Sequence, residues 1–462
     1  MTSFWAHPFF DTARAILDAA PNQWIPYALG LLLGYPLLTR SLRYQRLRQL
    51  YRKYPYTTRE SMAKMTDDEA FEIQKSVAQL EFPFMFVKSL QFALFRTYGI
   101  PTISHVLTKT SQFSNPETSL KRYTDTSALV QEMVGNSPTS QRAYLGLART
   151  RFLHSGYRAS GTILDSDMLY TLALFALQPI HFIASFEWRA LSDLERCAIG
   201  TFWKSVGDGL GISYDALPSG RTGFTDGLHW LDELAVWSDA YEVRCMLPDP
   251  KNRQTADQTT RVLVYMLPKV LHPIGLQFVS FMMDDRLRKA MLYVWERIFK
   301  SSQLYLPHSP LLCPLSLLVF MITKCLFLPS YDPPSPFFSS LFSTLLGIRK
   351  FVLRHLALPR PRFLRYSTFT DEPDENNRFF LTEWEAAPYY VKPTFWNRWG
   401  PMAWLTRILG RPVPGDEGNK YYPAGYEIQD IGPKYFEGRG RKSIETMMEE
   451  LKTVRTGKCP FH

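Results

Sequence analysis

The chain has 462 residues and a formal net charge of +10, from 53 lysines and arginines against 43 aspartates and glutamates. With 32 Phe, 24 Tyr and 11 Trp it is too apolar for a disordered chain. Its cations form no long basic arm interleaved with stacking aromatics, which argues against nucleic acid as a partner. Five cysteines without a CxxC spacing give no support to a zinc or iron–sulfur centre and suit reduced thiols.

In chain order, residues 1–20 are mixed and lack a basic n-region, so they read as a non-cytosolic segment rather than a signal peptide. Residues 21–39, PNQWIPYALGLLLGYPLLT, carry no charge and predict a transmembrane helix with Trp24, Tyr27 and Tyr35 near its interfaces. Residues 40–56 form a basic juxtamembrane segment: Arg40, Arg43, Arg46, Arg48, Arg52 and Lys53 follow one another with no acid between. The positive-inside rule then places the rest of the chain in the cytosol, as a single-pass protein. A buried helix followed by a solvated basic face would have the same composition.

Residues 57–330 read as one helical domain. Ala70–Thr97 is a Phe-rich helical pattern broken or kinked at Pro83, and its phenylalanines suit either core packing or an apolar channel. A short helix over Ile100–Ser111 follows. Ser119–Glu132 puts Arg122 and Thr126 one turn apart, with Asp125 beside them as a surface ion pair or a buried functional group. Gln141–Ser160 carries Arg151, His154 and Arg158 on one helical face. Asp165–Phe186 is strongly apolar, with Pro179 and a second histidine, His181. Helices over Ser192–Gly209 and Asp226–Met246, a loop at Asp249–Gln254 and a proline-interrupted apolar stretch over Thr259–Phe281 come next. Leu311–Leu328 suits a shallow membrane insertion or a core helix better than a second span. Residues 331–462 read as a helical, aromatic-rich extension packed on the domain, with helices over Ser339–His355 and Ser443–Val454. No repeat, dinucleotide fingerprint, P-loop or HExxH occurs, and helical periodicity dominates, so the fold class is all-α.

An imidazole between two permanent cations is either an incidental surface histidine or a ligand beside something anionic. A haem with its propionates is one such partner: His154 would be the axial metal ligand, Arg151 and Arg158 would pair with propionates, and Arg122, Asp125 and Thr126 would sit over the open face as catalytic groups. His181 is the second choice of ligand, although a satisfied core histidine is the plainer reading of it.

Three stretches carry a family likeness: RFLHSGYR, RYTDT and DSDMLYTLALF, in that relation of order and spacing. Over roughly residues 80–300 the chain resembles the family of ER-bound fungal oxygenases and bacterial rubber oxygenases (latex-clearing proteins). The whole chain resembles the fungal branch that serves mycophenolic acid biosynthesis. The resemblance implies an all-α, haem-binding domain of the rubber-oxygenase type, with heme b held by His154 and with Arg122 and Thr126 in the haem pocket. It implies O2 as co-substrate, cleavage of a C=C bond in the farnesyl chain of a prenylated phthalide, and residence in the endoplasmic reticulum membrane. Rubber oxygenases have lysine where this chain has Asp125, which sets the acid–base chemistry apart. Two other classes stay open: a membrane-anchored non-haem or flavin oxidase, and a non-enzymatic membrane scaffold.

Overall fold

A computed structural model describes residues 24–110, 116–291 and 331–461. Residues 1–20 and Leu311–Leu328 lie outside the described residues. The first helix, α1 (Trp24–Lys53), runs unbroken for 30 residues, about 45 Å at 1.5 Å per residue. Its first half exposes Leu31, Leu32, Leu33, Leu37 and Leu38. Its second half is docked. Arg43 is buried and donates to the carbonyl of Ala357, and Arg46 pairs with Glu81 at 2.8 Å. Part of the basic segment therefore fixes α1 to the domain instead of meeting solvent.

Local chemistry sets the helix ends that follow. Thr66 and Glu69 form a capping box at the start of α2 (Asp67–Ser76). A π turn over Val77–Glu81 and Phe82 then breaks the expected long helix. α3 (Pro83–Thr97) begins with Pro83 at its first turn, where an N–H would have no helical partner anyway. Next come α4 (Pro101–Lys109), α5 (Pro116–Val134), α6 (Gln141–Ala159) and α7 (Asp165–Phe186). α8 (Asp193–Gly209) opens with a second capping box, Ser192 with Glu195. It crosses α9 (Gly227–Cys245) at a point where only glycine fits: a Cβ on Gly200 would lie 2.2 Å from the Gly227 carbonyl oxygen.

The expected loop at Asp249–Gln254 is instead the start of α10 (Pro250–Leu263). Asp249 accepts from the Lys251 N–H and Pro250 occupies the first turn, so two residues that resemble breakers act as start signals. Short α11 (His272–Met282) and α12 (Asp285–Ala290) follow, then α13 (Pro336–His355), α14 (Phe395–Trp399), α15 (Pro401–Ile408) and α16 (Arg441–Val454). Among the described residues β pairing is limited to isolated bridges such as Phe379 with Tyr426. The fold is all-α.

The core forms where α7 packs against α3, α8 and α9, around the fully buried Trp203 and Trp230. The C-terminal extension is tied in by buried charge. Glu132 accepts two bonds from Arg142, at 2.7 and 2.8 Å, and one from the Tyr426 hydroxyl at 2.6 Å. Buried Arg149 donates to the carbonyls of Ile431 and Phe436. α16 lies on α6 and adds Ile444 and Leu451 to the main core.

Two described helices are long and apolar enough to cross a bilayer, α7 and α13. α7 is mostly buried and is a core helix. α13 is mostly exposed, with Phe342 its one buried residue. Leu346 and Leu353 pack against the domain and Arg349 pairs with Glu187 at 2.7 Å, whereas Leu341, Leu345, Ile348 and Val352 point outward.

Candidate active site

Six helices and one tail segment enclose a cavity of about 270 Å³. Each helix contributes a stripe at the helical spacing. α5 supplies Arg122, Thr126, Leu129, Val130 and Met133, and α6 supplies Thr150, Leu153, His154 and Tyr157. α7 adds Asp167, Met168, Thr171, Leu172 and Phe175. Helices α3, α4 and α8 give mainly apolar side chains, among them Leu94, Leu107 and Trp203. Tyr435 and Phe436 of the tail close one side, held there by the Arg149 bonds and by Phe436 packing edge-on against Phe152.

Most polar groups in this wall are spent locally. Thr126, Thr150 and Thr171 each donate to the carbonyl four residues earlier on their own helix. Among the rest are His154, Arg122 and Asp167, beside the Trp203 indole N–H, which is buried without a partner. His154 makes no side-chain hydrogen bond, and its Nδ1 is buried without a partner. Burial, with the cations of Arg122 and Arg158 adding to it, lowers its pKa to about 4. The imidazole is therefore neutral at pH 7 and has a lone pair to offer. Arg122 forms no ion pair and no side-chain hydrogen bond among the described residues, although it lines an apolar cavity. A guanidinium placed so is incomplete without an anion. Asp167 accepts from the hydroxyls of Tyr241 (2.6 Å) and Thr102 (2.9 Å), both on Oδ1, and its pKa is raised by burial. Its Oδ2 has no hydrogen-bond partner among the described residues.

The structure thus brings Arg122, Thr126 and His154 together and sends the other candidates elsewhere. Arg151 turns to Glu450 of α16 at 3.1 Å. Arg158 lies beside the cavity, on Asp165 and the carbonyls of Leu210 and Gly211. Asp125 is buried outside the cavity, where it accepts from Lys121 (2.9 Å) and the Tyr390 hydroxyl (2.7 Å). His181 sits on the exposed side of α7. At about 100° per residue, Arg151 and Arg158 both fall on one flank of His154, roughly 60° and 40° round the helix from it, and their long side chains reach away to partners outside the cavity. Asp125 and Thr126, three and four residues on, lie on either side of Arg122. Sequence reasoning passed over Asp167; its signal was a lone carboxylate on the stripe that continues through Met168, Thr171 and Phe175.

An apolar cavity with one neutral imidazole and one unpaired cation offers a bound group one lone pair and one positive charge. Among the described residues no three His, Cys, Asp or Glu side chains converge on a metal-sized site.

Comparison with known proteins gives the family. Residues 79–301 match the family model described as ER-bound oxygenase mpaB/B'/Rubber oxygenase, catalytic domain. The chain is 61% identical over 452 residues to ER-bound oxygenase mpaB' of Penicillium brevicompactum, covering 98% of both chains. It is 53% identical over 424 residues to ER-bound oxygenase mpaB of the same organism, covering 92% of both. To ER-bound oxygenase mpaB of Penicillium roqueforti (strain FM164) it is 72% identical over 294 residues, 63% of this chain and 98% of that one. The chain belongs to the ER-bound oxygenase/rubber oxygenase family. It is an enzyme, an oxidoreductase of the oxygenase type, which sets aside the scaffold reading.

Proposed function

We propose that the cavity holds a b-type haem and that the enzyme uses O2 to cleave a C=C bond in the farnesyl chain of a prenylated phthalide, in mycophenolic acid biosynthesis. The observation that carries this reading is the pairing of a neutral, unpartnered His154 with an unpaired Arg122 in one apolar cavity. Family membership supports haem and O2 use. Haem bound there would supply an iron centre that activates dioxygen.

This chain's residues supply the rest. His154 would ligate the iron as a neutral imidazole, the form that its burial favours. Arg122 would pair with a propionate, and Thr126, bonded to the Arg122 carbonyl at 2.8 Å, braces that turn. Arg151 and Arg158 add positive field from outside the wall. Asp125 acts at one remove, as a positioning residue that locks α5 to Tyr390 of the tail. The carboxyl placed to hold or give a proton is Asp167, at Oδ2. The apolar stripes hold the alkene and exclude water.

The exposed leucines of α1 and the outward face of α13 support membrane residence. The segment expected over residues 21–39, whose described part is the first half of α1, spans the bilayer once and the domain faces the cytosol. α13 lies along the membrane surface, since its Arg349–Glu187 bond binds its inner face to the domain. A bilayer-tethered enzyme meets a farnesylated substrate at high local concentration.

The test is the visible spectrum and product profile of detergent-purified protein, wild type beside His154→Ala. The expected result is a Soret band and a carbonyl product with wild type, and neither with the variant. Turnover of the farnesylated phthalide by haem-free protein would overturn the reading.

A further inference from the structure

Beside the main cavity lies a second one, of about 90 Å³, between α2 with its π turn, α3, α5 and the segment 366–369. Three side chains stand in both walls: Leu94 of α3, Val130 of α5 and Phe175 of α7. The two spaces are therefore separated by apolar side chains and not by backbone. Phe175 is held in place by stacking on Trp203, with ring centroids 5.2 Å apart. Leu94 and Val130 are half-buried.

The second chamber differs in chemistry from the first. Its wall combines apolar side chains (Phe86, Val87, Leu90) with amides. Gln91 and Gln131 are already committed, to Lys88 with Glu385 and to Thr368 respectively. Gln74 is not. It is only 2% exposed, and its Oε1 is buried with no hydrogen-bond partner. An unmet buried acceptor is costly, so a bound donor there is strongly favoured.

Resting on the haem oxygenase reading above, we propose that this chamber is the head-group subsite. A hydroxyl on the aromatic end of a prenylated substrate donates to Gln74 Oε1. The isoprenoid chain passes between Leu94, Val130 and Phe175 into the main cavity. The chamber is smaller than the roughly 150 Å³ that admits benzene, so it takes the hydroxyl-bearing edge of the ring and leaves the remainder between the three gating side chains. The ligand class is neutral, aromatic and hydroxylated at one end and apolar at the other.

The test is equilibrium binding by calorimetry to full-length, detergent-solubilised enzyme, with farnesyl hydroquinone and its dimethyl ether as probes. Gln74→Met should weaken the hydroquinone about 2- to 13-fold, the range of one neutral hydrogen bond, and leave the ether unchanged. Its melting temperature should hold or rise, because an unmet acceptor is removed. Val130→Trp should weaken both probes. Equal loss of both probes in Gln74→Met, unchanged hydroquinone affinity there, or wild-type binding to Val130→Trp would each overturn the proposal. The Soret band of the same samples separates this outcome from failure of the haem reading, since a probe can bind selectively whether or not haem is present.

Discussion

The most discriminating perturbation is Arg122→Met. The side chain lines the cavity and has no acidic partner, whereas Arg151 is paired with Glu450 and Arg158 with Asp165. If Arg122 receives a propionate, the variant loses one charge-assisted hydrogen bond, roughly 1.5–3 kcal/mol. At 1.4 kcal/mol per decade, haem affinity falls between about 10- and 150-fold. Stability of the haem-free protein should not fall, because methionine keeps the length of the side chain and relieves an unpaired cation. Arg151→Ala is the control. Its pair joins a side chain 27% exposed to one 54% exposed, so its loss costs a few tenths of a kcal/mol and leaves haem affinity within about twofold. The assay is titration of haem into apo-protein, followed at the Soret band, with thermal melts of the same samples. Wild-type affinity in Arg122→Met, together with a tenfold loss in Arg151→Ala, would refute the reasoning and return the propionate role to Arg151.

Three further outcomes concern the frame that holds the site. Arg142→Ala strands the fully buried Glu132 carboxylate and should destabilise the fold by roughly 3–5 kcal/mol in denaturant unfolding, with Glu132→Gln added to it recovering part of the loss. Gly200→Ala drives a methyl into the Gly227 carbonyl at 2.2 Å, so α8 and α9 must separate; melting should show a loss at or above the 1–3 kcal/mol typical of overpacking. Burial pushes the Asp67 carboxyl up to about 6 despite its bond to Arg455. A carboxyl raised above its unfolded value favours folding when protonated, so this contribution is complete below pH ~4 and is lost as pH rises through about 6, on the order of 2–3 kcal/mol in all. Asp67→Asn should abolish that slope in stability measured across the window, and an unchanged slope would assign it to other groups.

Much of this was written locally and could be read from the sequence. The helix ends at Thr66–Glu69, Ser192–Glu195 and Pro83 depend on residues within one turn of each other. The all-α class follows from the 3.6-residue period, and His154, Arg122 and Thr126 are marked by their spacing together with a family likeness. What the sequence could not settle was azimuth. Spacing shows which side chains share a face but not what that face meets, and positions on its flanks carry long side chains that can swing either way. Only the packing of α6 on α16 turned Arg151 toward Glu450. Only the return of the tail brought Tyr390 onto Asp125 and Tyr435 to the cavity wall, from more than 250 residues away along the chain. The unmet acceptor of Gln74 and the shared wall of Leu94, Val130 and Phe175 likewise come from three or four helices meeting. The sequence by itself determined which chemistry the chain owns. Tertiary structure decided which of those groups are left unpartnered in a cavity, because pairing is a property of neighbours in space.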